Sequence, residues 1–107
     1  LDLAEINLAK FERAFPGSNR LEEARVHLKD MRERYASGYL ETAAFYRRVN
    51  KLGASAFYYA CVLRQYPETA AVPVALKELQ GLRKRTDLPT DILSALEQAE
   101  QQIVSAS

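Results

Sequence analysis

Residues 52–67, LGASAFYYACVLRQYP, decide how the rest of the chain is read. Gly53 reads as a turn, an apolar helix follows from Ala54, and Tyr66-Pro67 stops it. Proline lacks the N–H a helix needs and disfavours helix at the residue before it. The same ending stands earlier, in FERAFP at residues 11–16. Shifting the chain by 51 positions lays Arg13 on Arg64, Phe15 on Tyr66, Ser18 on Thr69, Ala24 on Ala75, Leu28 on Leu79 and Met31 on Leu82. Self-similarity at a fixed period is the mark of stacked helical hairpins.

Working back from this stretch, Tyr39 to Leu52 carries Leu40, Ala44, Phe45, Val49 and Leu52 as an apolar set, and predicts a helix separated from what precedes it by Ser37-Gly38. Leu21, Ala24, Leu28, Met31 and Tyr35 share one helical stripe, predicting a long helix over 19–36. Ser18-Asn19 is its start signal, Asn19 with Glu22 resembles a capping box, and Arg32 and Arg34 fall in its expected last turn. Leu1, Ala4, Leu8, Phe11 and Phe15 make the first helix, closed by Pro16-Gly17. Forward of Pro67, Thr69 and Pro73 open a helix on Val72, Ala75, Leu76, Leu79 and Leu82, ending in Arg83-Lys84-Arg85. After a loop at 87–90 a last helix runs to about Val104 on Ile92, Leu96, Ala99 and Ile103. No stretch alternates apolar and polar residues as a strand would. The expected fold is all-α, an α-solenoid fragment of about six antiparallel helices joined by short loops.

Composition narrows the function classes. A net charge of +1 over 107 residues gives no bulk electrostatic case for nucleic acid or an anionic membrane. The lone Cys61 cannot form an internal disulfide, and no apolar run approaches the ~20 residues that span a bilayer. Leu1 opens inside a helical pattern without an initiator Met. The sequence is therefore expected to be the C-terminal part of a longer protein. As one domain over 1–107 it divides into the end of a preceding repeat (1–17), a long helix plus helix A (18–52), helix B and the next helix (53–89), and a C-terminal capping helix (90–107).

The block from Tyr39 to Pro67 resembles a tetratricopeptide repeat. Tyr39 and Tyr46 stand at its two aromatic positions, Ala43 at the small one, Tyr59 in helix B and Pro67 at the close; Ser55 and Val62 stand where the consensus prefers alanine. Over about Leu8 to Leu82, the strings FPGSNRLEEA, ETAAFYRR and VLRQYPETAAVPVAL are similar to the C-terminal half of BamD-like outer-membrane lipoproteins. Phe15-Pro16-Gly17-Ser18, Phe45-Tyr46 and Tyr66-Pro67-Glu68-Thr69 match that family's hallmark elements. The resemblance implies a lipid-anchored scaffold of the β-barrel assembly machinery at the periplasmic face of the bacterial outer membrane. Its implied partners are a barrel-insertion component and other envelope lipoproteins, and any membrane association runs through a lipid anchor outside this sequence. Two departures stand out: Val49-Asn50 replaces the family's Arg-Gly, and Phe57-Tyr58 replaces its Asn-Arg, whose arginine lies on the partner-facing side. The alternative reading is a generic TPR adaptor gripping extended peptides in another periplasmic or cytosolic complex.

Nothing in the residues points to catalysis. Glu23, His27 and Asp30 can share a helix face, but one imidazole and two surface carboxylates fall short of a metal centre. Cys61 reads as a small packed hydrophobe. No phosphate loop or nucleophile elbow occurs, and no cofactor is implied. The aromatic set Phe45, Tyr46, Phe57, Tyr58, Tyr59 and Tyr66 is expected mostly in the core. Tyr58 is the exception: in the resemblance it takes the exposed arginine position, where a tyrosine suits an interface anchor. Arg47, Arg48 and Lys51 form a basic rim fit to receive an acidic partner segment. Tyr46, Arg47, Arg48, Lys51 and Tyr58 are thus the candidate partner-binding residues. The first helix is expected to expose apolar side chains and to favour self-association.

Overall fold

A computed structural model describes residues 2–17 and 19–106, the side chains of Asp2, Ser105 and Ala106 excepted. Leu1 of the first apolar stripe and Ser18 of the start signal lie outside the described residues. Five helices are found among the described residues: α1 (Asp2–Ala14), α2 (Asn19–Arg48), α3 (Leu52–Gln65), α4 (Val72–Arg85) and α5 (Thr90–Ala106). The internal similarity is met in three dimensions, because α1 and α3 each end two residues before their proline, Pro16 and Pro67. The chain forms two compact units, residues 1–35 and 36–107.

In the first unit, α1 lies against the N-terminal part of α2. Glu12 pairs with Arg25 at 2.5 Å and Glu5 with Arg32. The later α1 residue takes the earlier α2 partner, which is the pairing of antiparallel helices. Leu8 and Phe11 face Leu28 and Met31 across a shallow, mostly apolar groove of about 310 Å³ that Asn7 and His27 also line.

In the second unit, α3 packs on both α4 and α5, which also pack on each other. A helix touched from several sides should be apolar around most of its circumference, and Ser55, Ala56 and Tyr59–Leu63 are all buried. Leu79, Leu82, Leu96 and Val62 are the largest fully buried side chains of this core. Between α3 and α4 the buried Thr69 donates from Oγ1 to the Tyr66 carbonyl at 2.8 Å, closing the turn after Pro67. Thr69 therefore sits in the turn, and α4 starts only at Val72 with Pro73 in its first turn.

Three expectations are corrected. Ser37-Gly38 does not break the helix: α2 runs through it for 30 residues, so the described residues hold five helices rather than about six. Serine and glycine each cost at most about 1 kcal/mol against alanine inside a helix. The apolar stripe meanwhile continues in phase from Met31 through Tyr35 and Tyr39 to Ala43, and Thr42 Oγ1 bonds the Gly38 carbonyl at 3.0 Å. Arg32 and Arg34 are consequently mid-helix, and Arg47 and Arg48 occupy the last turn.

The second correction concerns the turn. Gly53 lies inside the first turn of α3, and Asn50 supplies the reversal with φ of 61°. Asn50 N–H bonds the Arg47 carbonyl at 3.0 Å and Lys51 N–H reaches back to Tyr46 O at 2.8 Å. These two bonds make the Schellman closure of α2. Asparagine is one of the few residues that tolerates a left-handed backbone, so it serves where the resembling family places glycine.

Third, Phe45, Val49 and Phe57 are not core: about half of each is exposed. The stripe of α2 that turns inward is Ala36, Tyr39, Ala43 and Tyr46, with Ala36 and Ala43 fully buried. Alanines there allow close approach to α3 and leave Phe45 and Val49, four residues apart, on the outer face.

Candidate partner-binding surface

The five candidate residues sit on the hairpin of α2 and α3 inside the second unit. Its geometry is fixed from within: the fully buried Ser55 donates its hydroxyl to the Ala43 carbonyl at 2.8 Å. The departure from alanine at Ser55 thus gives the hairpin a cross-helix hydrogen bond. From this fixed base Tyr46 and Tyr58 stack with planes 3° apart and centroids 5.5 Å apart. Tyr39 adds a third ring, 6.1 Å from Tyr58 and 5.9 Å from Tyr66.

Phe45 meets Tyr46 edge-on at 5.4 Å, and Phe57 meets Tyr58 edge-on at 5.3 Å. Phe45, Tyr46, Tyr58 and Phe57 therefore form a continuous ladder of rings across the hairpin, half-buried in the middle and about half exposed at both ends. Tyr58, expected to be exposed, is half-buried because two tyrosines cover its faces. Apolarity alone assigns Phe45 and Phe57 to the core. The signal that they are outward-facing is their position opposite the alanine stripe of α2 and beside the solvent-facing Arg64 on α3.

The cations separate into two kinds. Arg47 is engaged with Glu78 of α4, tying α2 to the core. Arg48 and Lys51 are exposed and have no ion-pair partner among the described residues. Beneath them, burial pushes the Tyr59 phenol above its ordinary range; Glu78 adds to the rise and Arg47 offsets part of it. Burial likewise raises the Cys61 thiol, against a smaller pull from Arg64. A raised thiol pKa disfavours the nucleophilic thiolate. His27 lines the groove of the first unit, and Asp30 pairs with Arg34 at 3.0 Å. No group of three or more metal-ligating side chains forms among the described residues. The arrangement is aromatic and rimmed by cations, which suits it to contact with a protein partner.

Comparison with known proteins agrees with that architecture. A family model described as outer membrane lipoprotein, YfiO, matches residues 3–97. The chain belongs to the YfiO family of BamD-like outer membrane lipoproteins. The match takes in every described helix at least in part, with the ladder at its centre. Neither a curated protein nor a solved structure matches the chain significantly. Membership of the YfiO family places the all-α, TPR-like scaffold among outer-membrane assembly lipoproteins, whose partners are proteins. No helix among the described residues is long and apolar enough to cross a membrane.

Proposed function

We propose that this chain is a non-enzymatic scaffold of a bacterial outer-membrane β-barrel assembly complex, and that it binds the barrel-insertion component from the periplasmic side. The family match over residues 3–97 carries the reading. The exposed hairpin surface supports it, since stacked helical hairpins present extended faces for protein partners. In this reading Tyr46 and Tyr58 are the aromatic floor of the contact, Arg48 and Lys51 its charged edge, and Arg47 the strut that holds α2 on α4. Tyr58 cannot reproduce the charged fork of an arginine, so the contact relies on ring area where the family relies on charge. The test is affinity purification of the full-length protein from detergent-solubilised outer membranes, with antibody detection of the barrel-insertion component. Stoichiometric co-purification is expected. Absence of that component, with the bait intact and membrane-bound, refutes the assignment.

A further inference from the structure

We infer that the ladder from Phe45 to Phe57, with Arg48 and Lys51 at its rim, docks an acidic segment of a partner protein through two apolar anchors. This deepens the scaffold reading above and rests on it. The argument starts from charge. Between Ala36 and Tyr66 the sequence places Arg47, Arg48, Lys51 and Arg64 against the single acid Glu41. Glu78 neutralises Arg47, and Asp91 lies 3.6 Å from Arg64. The uncompensated charge is concentrated on Arg48 and Lys51, beside Phe45 and Val49 on α2 and at the start of α3.

Phe45, Val49 and Phe57 supply the apolar part. Each is about half exposed, and the two phenylalanines stand three ring-to-ring steps of 5.3–5.5 Å apart along the ladder. Rings already locked by stacking lose little freedom on binding, which is why rigid aromatic residues make effective anchors. A segment with two leucine or phenylalanine side chains can cap Phe45–Val49 at one end and Phe57 at the other. Carboxylates between or beside them meet the two cations. An anionic bilayer fits less well, because polybasic membrane contacts use clusters of about four to eight cations and this rim offers two.

The test uses the purified chain and fluorescein-labelled synthetic peptides in which Asp and Glu flank two Phe or Leu anchors at several spacings. Matched peptides carry Asn and Gln instead, and anionic phospholipid vesicles serve as a third probe. Fluorescence anisotropy should detect an acidic peptide that binds at least tenfold more tightly than its neutral twin and weakens as salt is raised. F45S/F57S and R48E/K51E should each weaken it at least tenfold. The charge reversals lie at exposed sites, so they keep the test decisive should the first pair unfold the hairpin. Failure of every acidic peptide to bind, equal binding of the neutral twins, wild-type binding by R48E/K51E, or binding to vesicles alone overturns the inference. Co-purification of the barrel-insertion component without acidic-peptide binding sinks this inference and leaves the scaffold assignment standing; peptide binding without co-purification does the reverse.

Discussion

Truncating Tyr58 to alanine should destabilise the second unit by about 3–4 kcal/mol, and a double-mutant cycle with Tyr46 should isolate the ring-on-ring share. The magnitude follows from geometry. A tyrosine buries some 150–250 Å² when fully enclosed, so the half-buried Tyr58 removes about 100 Å², or about 2.5 kcal/mol at 25 cal/mol per Å². The near-parallel contact with Tyr46, at 5.5 Å and 3°, adds an aromatic pair worth about 0.5–1.5 kcal/mol. Y58F keeps the stack and should change stability by less than about 0.5 kcal/mol, because the Tyr58 hydroxyl has no hydrogen-bond partner among the described residues. Thermal and urea unfolding followed by circular dichroism of wild type, Y46A, Y58A and Y46A/Y58A give the four corners of the cycle. At about 4–8 °C per kcal/mol for a unit of this size, Y58A alone should lower Tm by about 12–30 °C. A coupling energy indistinguishable from zero would mean that the two rings share a surface without contributing to each other, and the ladder would lose its standing as a preformed, rigid feature.

Three further outcomes can be checked on the same protein. Asn50→Gly should be neutral or slightly stabilising and Asn50→Ala should cost about 1 kcal/mol, since only the former accepts φ of 61° without strain; urea midpoints decide this, and equal midpoints argue against the left-handed turn. Raised folded pKa values at Cys61 and Tyr59 mean the folded chain keeps protons the unfolded chain releases. Stability should therefore be fully present below about pH 8.5, decline as pH rises past the unfolded thiol and then the unfolded phenol near about 10, and decline less in Y59F; the same burial should make Cys61 react with a maleimide only as fast as the core opens. The first unit exposes Leu3, Ile6, Phe15 and Val26 by half or more, so self-association through α1 should appear as a concentration-dependent mass in sedimentation and vanish in L3E/I6K; a constant monomer mass up to millimolar concentration removes that expectation.

Why some of this was readable in the sequence, and some was not, comes down to which signals are local. A proline is a local signal, and both Pro16 and Pro67 end their helices two residues upstream as the internal similarity required. The reversal after α2 is half-local. Glycine advertises a left-handed backbone, so Gly53 drew the turn to itself, while Asn50 carried it three residues earlier through the Schellman bonds from Asn50 and Lys51. Ser37-Gly38 misled for the opposite reason. Both residues weaken a helix without forbidding it, and the decision fell to the burial of Ala36 and Ala43 on either side, which depends on what packs there.

The surface is the hardest case, and it shows where one-dimensional reasoning reaches its limit. Phe45 and Phe57 have the hydrophobicity of core residues, and no property of either residue alone says that it faces outward. What turns them out is the alanine stripe on the opposite side of α2 and the Ser55–Ala43 hydrogen bond that draws α3 close along it. Small residues inside a hairpin bring its backbones together, and the large residues displaced from the seam must then lie on the outside. Tyr58 follows the same logic in reverse, covered by Tyr39 and Tyr46 because they flank the seam. An exposed aromatic pair in such a hairpin is thus a consequence of tight small-residue packing, and its position on the exposed face, next to cations with no ion-pair partner among the described residues, is what argues for an occupant.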